Sequence, residues 1–190
     1  GMTDSPKLIL RGDAENSLMA LLAAVKKEVP SLDLQQAPKG SHQSVGAAEQ
    51  KHDHIASQVR VMVSQIQNKA NVLIKPGSFV FPWAVRHAAF IINRYKKRKD
   101  GTTPYHACTG KNYVQALAQF GEKIHYKVND TKLFGKGAPR WYYGIWVGIN
   151  DTDKTHIVLT PAGVVFARTV KRVLESEMWG QRTFGTSRRP

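Results

Sequence analysis

Two hydrophobic periods divide this sequence. Up to about residue 110 the apolar residues recur mainly at helical spacing, whereas from about 120 to 173 they fall on every second position. Lys7 to Leu10 is a short branched apolar run that predicts a buried strand with Asp13 just past its end. Leu18, Leu21, Leu22, Val25 and Val29 then mark one face of a helix, with Lys26 and Lys27 near its negative end and Pro30 to stop it. Leu32 to Gln35 predicts a second strand, which completes a parallel strand–helix–strand unit over 6–36. Residues 37–46 are small, polar and Gly/Pro-bearing, the composition of a mobile loop.

A long helix is predicted from Ala47 to Ile74, with a stripe of Ile55, Val59, Met62 or Val63, and Ile66, ended by Pro76 and Gly77. Phe81, Trp83, Val85, Ala88, Ile91, Ile92 and Tyr95 mark a further helix, apolar nearly all round and so well buried. Thr103 to Gly110 reads as a single helical turn with Pro104 at its start. Beyond it four short strands are expected, near 124–128, 142–149, 155–160 and 163–169, and they suit a small barrel or sandwich.

The charge is unbalanced and uneven. The 190 residues hold 28 Lys+Arg against 14 Asp+Glu, a formal net +14, divided as +4 over 1–95 and +10 over 96–190. That balance calls for a polyanionic partner, attracted more by the second half. Lys123, Lys127, Lys132, Lys136, Arg140, Arg168, Lys171 and Arg172 flank the expected strands and are candidate phosphate contacts; Lys51 and Arg60 on the long helix are candidates too, or simply a solvated face. Lys96 to Lys99 could hold phosphates or merely cap a helix. The lone Cys108 excludes an internal disulfide framework and a Cys-rich zinc module, and no apolar run approaches the ~18 residues of a membrane span, so no membrane partner is expected. His52, His54, His87 and His106 show no metal-binding spacing, and Trp83, Trp141 and Trp146 are expected to be core anchors.

Two carboxylates stand out by placement. Asp13 ends a strand, Glu49 opens a helix behind the loop, and 35 residues separate them. Strand ends and helix starts of an open α/β sheet converge on one edge, where carboxylates can share Mg²⁺. The other reading is that each acid favours the positive end of the helix it precedes, and on the pair alone that reading is preferred.

Wider motifs tip the balance. The Asp13–Glu49 spacing resembles the second and third acids of the Asp, Asp-35-Glu signature of retroelement integrases. The likeness is to the copia-type retrotransposon polyprotein in particular. Gln43 to Glu49, with Gly46, resembles the segment before that family's catalytic Glu, and Trp83 to Arg94, Gly101 to Tyr105 and Thr109 to Lys111 resemble the region that follows. Trp141 to Gly148, His156–Ile157 and Gly163 to Arg168 resemble its SH3-like β-domain.

The resemblance implies a truncated ribonuclease H-like α/β core over 1–112, a small all-β SH3-like barrel over 113–175, and a disordered tail over 176–190. It implies metal-dependent DNA strand transfer, with Asp13 and Glu49 as catalytic ligands of Mg²⁺ or Mn²⁺ and residues 39–46 positioning DNA. Implied partners are element ends, target duplex, further copies of the chain and the rest of the polyprotein, in the nucleus or a virus-like particle. The first acid of the signature has no counterpart among residues 1–12, where Asp4 is the sole carboxylate. An inactive fragment is therefore expected, with an exposed strand edge and apolar face beside Lys7 to Leu10. Ala14 and Glu15 stand where the family often has Asn-Gly, and His52 and Asp53 where relatives place a DNA-contacting Lys. The alternative is a non-catalytic nucleic-acid-binding remnant that works through the basic β-domain.

Overall fold

The computed structural model describes residues 8–12, 15–36, 42–115, 118–128 and 139–179. The chain is mixed α/β and divides into two compact units, Gly1–His54 and Ile55–Pro190.

In the first unit, β1 (Leu8–Gly12), α1 (Asn16–Glu28) and β2 (Leu32–Gln36) follow in the expected order. The strands pair in parallel, from Leu8 opposite Leu32 to Gly12 opposite Gln36. Gly12 allows α1 to lie close to the strand end, because a Cβ there would stand 2.6 Å from Leu22 Cδ1. Little apolar surface is covered: Leu22 and Leu32 are buried, but Leu8, Ile9 and Leu21 remain more than half exposed. A two-strand parallel sheet leaves both outer edges unpaired among the described residues, so the expected open edge and apolar face are present.

Helix α2 (His42–Ala70) begins earlier than expected. Residues 42–46, assigned to a loop from their composition, are helical, and residues 37–41 lie outside the described residues. Gly46 costs about 1 kcal/mol inside a helix, which the good helix formers from Ala47 to Gln50 offset. The helix also stops sooner, at Ala70 rather than Ile74, because Asn71 takes a left-handed φ of 50°. Ile74 is nevertheless buried, and its N–H donates to Gln67 Oε1 at 3.0 Å.

From Ile55 onward α2 belongs to the second unit, with α3 (Val80–Tyr95) and α4 (Pro104–Thr109). Thr103 caps α4, its hydroxyl accepting from the His106 N–H at 3.1 Å. The sheet is antiparallel throughout, in the order β6-β5-β4-β3-β7. Its members are β3 (Lys123–Lys127), β4 (Trp141–Ile149), β5 (His156–Thr160), β6 (Gly163–Ala167) and β7 (Val170–Arg172). The sequence pattern predicted four strands; the last, expected over 163–169, ends at Ala167, and a bend at Arg168 leads into β7, a strand the pattern did not predict. Among the described residues β6 and β7 do not pair with each other, so the sheet is open and the expected closed SH3-like barrel is not formed.

Alternation along the strands makes two cores. Ile145, Val147, Ile157 and Leu159 turn toward Val59, Met62, Val63 and Ile66 of α2 and Ala84 and Ala88 of α3. Trp146, Ile149, Val158, Ile124, Tyr126 and Ala167 gather on the other face. Burial on both faces explains why residues 144–149 form a continuous buried run. Gly144 is required there, since a Cβ would meet Val158 Cγ1 at 2.3 Å.

His87 of α3 is buried against this sheet, stacked with Phe90 and Phe120 and meeting the edge of Trp146 at 5.1 Å between ring centroids. Burial, reinforced by the Arg86 charge, lowers its pKa to about 4. The unfolded chain therefore takes up a proton near pH 6.5 that the folded chain refuses. The corresponding stability is complete above pH 6.5 and is lost as pH falls toward 4, an effect of about 3 kcal/mol. His156, whose pKa is lowered by burial, acts in the same direction. Urea unfolding should show a lower midpoint at pH 4.5 than at pH 7, and the His87 imidazole signals should not titrate above pH 5; a normal titration near 6.5 would refute the assignment.

Candidate nucleic-acid interface

Of the two carboxylates singled out by spacing, Asp13 lies outside the described residues. Glu49 is exposed, two turns inside α2 rather than at its start. The helix dipole is spent within the first turn, so a preference for the positive helix end does not account for Glu49. Glu49, His52 and Asp53 share an open depression of about 680 Å³ with Glu15, Leu18 and Ala48. Glu15 sits at the start of α1, its carboxylate accepting from Ser17 Oγ at 2.7 Å. The end of the β1–α1 connection and the Glu49 face of α2 thus border the same depression. Carboxylates such as those of Glu15, Glu49 and Asp53 are donors of the kind Mg²⁺ favours, yet among the described residues no group of three or more His, Cys, Asp or Glu is placed to hold a metal. The described residues do not by themselves make the metal site.

The basic candidates separate by the pleat of the sheet. Side chains of successive strand residues point to opposite faces, and the register sets Lys123 opposite Ile145, His125 opposite Tyr143 and Lys127 opposite Trp141, with Lys171 of β7 opposite His125. Lys123, His125, Lys127, Trp141, Tyr143 and Lys171 therefore share one face. It is the face whose Ile145 end packs under the helices; the end toward Trp141 opens to solvent, and Tyr143 is 53% exposed. Lys171 Nζ lies 4.6 Å from the centre of the Trp141 ring and Lys123 Nζ 4.2 Å from that of Tyr143. His125 meets Tyr143 edge-on at 4.2 Å.

Arg172 belongs to the other face. Its guanidinium donates to both oxygens of the fully buried Glu122, at 2.7 and 2.9 Å, and the bond raises its pKa further. Arg140 and Arg168 are exposed, as are Lys51 and Arg60 on α2; Lys132 and Lys136 lie outside the described residues.

Among the described residues Lys123, Lys127 and Lys171 take part in no ion pair. Sequence reasoning found these lysines but missed the aromatics between them. Trp146 is the core anchor expected, fully buried, whereas Trp141 is half-buried with a cation on its outer face. The signal was available in two alternations, Lys123-x-His125-x-Lys127 and Trp141-x-Tyr143. What the sequence lacked was the register that joins them.

No protein-family model matches this sequence, and no curated protein matches it. Among solved structures, it is similar to a chain of the simian T-cell lymphotropic virus intasome in complex with the PP2A regulatory subunit B56 gamma. The identity is 9% and the TM-score 0.36, over 88% of this chain and 58% of that one. A likeness at that level does not establish a shared fold. No described helix is long and apolar enough to cross a membrane.

The Glu122–Arg172 pair gives a stability test separate from any ligand. Arg172→Ala should leave the Glu122 carboxylate buried without its partner and cost about 1–3 kcal/mol in urea unfolding, with part of the loss recovered when Glu122→Gln is added. Equal stability of wild type and R172A would remove the pair from the account of the fold.

Proposed function

We propose that this chain binds nucleic acid as part of an integrase-like protein of retroelement type, using the open face of its five-stranded sheet. The observation that carries the reading is that Lys123, Lys127 and Lys171 share one face of the sheet, Lys171 exposed and the other two half-buried, without a carboxylate in the facing register. Three ammonium groups on one sheet face with no ion pair among the described residues, in a chain of net charge +14, suit a phosphate backbone better than a protein surface of mixed charge. The retroelement part of the reading rests on the sequence motifs and their order.

The proposal keeps Asp13 and Glu49 as the carboxylates that would hold Mg²⁺ or Mn²⁺, which in strand transfer supplies an activated hydroxyl nucleophile. Supporting it is the depression shared by Glu49 and Glu15, two residues beyond Asp13. Such a protein would work on DNA in the nucleus or a virus-like particle, with further copies of itself. A second reading, a binding module without catalysis, is favoured by the sheet face, which needs no metal to hold phosphate.

A salt titration tests the binding claim. Affinity for a mixed-sequence duplex should fall steeply with ionic strength, and replacing Lys123, Lys127 and Lys171 together by Gln should reduce the log–log slope by about 2 to 3. A flat salt response, or a slope unchanged by the triple replacement, would move the chain to a protein-recognition role.

A further inference from the structure

The same surface carries more than charge. Trp141 and Tyr143 stand two residues apart on one face of β4, which sets them about 6.8 Å apart along the strand. An ammonium group rests on the ring of each; Tyr143 is exposed, Trp141 is half-buried, and neither ring belongs to the two core clusters. His125 braces Tyr143 from the side. Bases within a duplex already stack on their neighbours at about 3.4 Å and offer no free face to a protein ring unless they are first unstacked. Unpaired nucleotides have free faces, and an extended strand can stretch to a spacing about twice that of the duplex.

We propose that Trp141 and Tyr143 form a two-base stacking platform for single-stranded nucleic acid, flanked by Lys123, Lys127 and Lys171 as phosphate contacts. The inference rests on the nucleic-acid reading above and adds the class of substrate. In the free protein Lys171 and Lys123 cover the rings. On binding, each base displaces an ammonium group, which then moves the short distance to a phosphate, so that a cation–π contact at an exposed site is exchanged for base stacking and a charge contact together. Stacking of this kind tolerates any base, so the platform reads strandedness rather than sequence.

Fluorescence anisotropy with the whole chain tests this, using labelled oligothymidine of twelve residues and a blunt duplex of twelve base pairs at equal salt. Tyr143→Leu and Trp141→Ala should each weaken oligothymidine binding about tenfold and leave duplex binding within about twofold. Lys123→Gln and Lys171→Gln should weaken both. Tyr143 is exposed enough for Y143L to fold normally; should W141A fail to fold, Y143L with Trp141→Phe decides the matter, the phenylalanine variant keeping most of the affinity. Unchanged oligothymidine binding in Y143L, or equal losses on single strand and duplex, overturns the platform. Binding of duplex without oligothymidine overturns it too while leaving the nucleic-acid reading intact, whereas no binding of either removes both.

Discussion

The antiparallel register of β3 against β4 is the constraint from which the rest follows. Because the pleat alternates, pairing Ile124 with Gly144 and Tyr126 with Tyr142 fixes Lys123, His125 and Lys127 on the other face, opposite Ile145, Tyr143 and Trp141. A slip by one residue would drive two lysines and an imidazole into the core that holds Trp146 and Val158. The register is therefore enforced by burial, and the solvent-facing arrangement comes as a by-product of it. Gly144 strengthens the constraint, since a side chain there would collide with Val158.

Around that register the core spends its polar groups on rigidity. Glu122, fully buried, is held by Arg172 and accepts from the Gln119 N–H at 2.9 Å, locking the entry to β3 against β7. Arg94 of α3 lies 3.9 Å from the Phe90 ring centre, close to Tyr105 and Tyr113, and is paired with Asp151 in the turn between β4 and β5. These contacts fix α3, α4 and the sheet as one body, and a rigid sheet is what two side chains need if they are to present ring faces at constant spacing. The first unit is different in kind. Two parallel strands and one helix leave Leu8, Ile9 and Leu21 largely uncovered, so it contributes little to that rigidity.

How much was legible in the sequence depended on whether the signal was local. The strand–helix–strand order over 8–36 followed from Leu18, Leu22 and Val25 at helical spacing, from Pro30, and from branched runs on either side. The period-two segments located β3, β4 and β5 for the same reason. Errors came where local composition competes with context: Gly46 among small polar residues reads as loop, yet the helix formers after it carry α2 back to His42. Strand β7 was hidden because three residues are too few to show a period. Trp141 was assigned to the core on residue type alone, and only the pairing of its strand shows that it shares a face with Lys127 and Lys171. Sheet closure depends on pairings far apart in the chain, which is why an open sheet could not be told from a barrel. Glu49 was found by its spacing from Asp13, but its position two turns inside α2 required the helix start.

The claim that most needs a direct answer is that nucleic acid lies on the face shared by β3, β4 and β7. Amide chemical-shift mapping of the isotope-labelled chain during addition of unlabelled oligothymidine gives it. The account predicts that the largest changes fall at residues 123–127, 141–143 and 171, with the indole signal of Trp141 moving and that of Trp146 staying. Changes confined to the exposed cations of α2 or to the Lys96–Lys99 cluster, with the sheet face undisturbed, would contradict it.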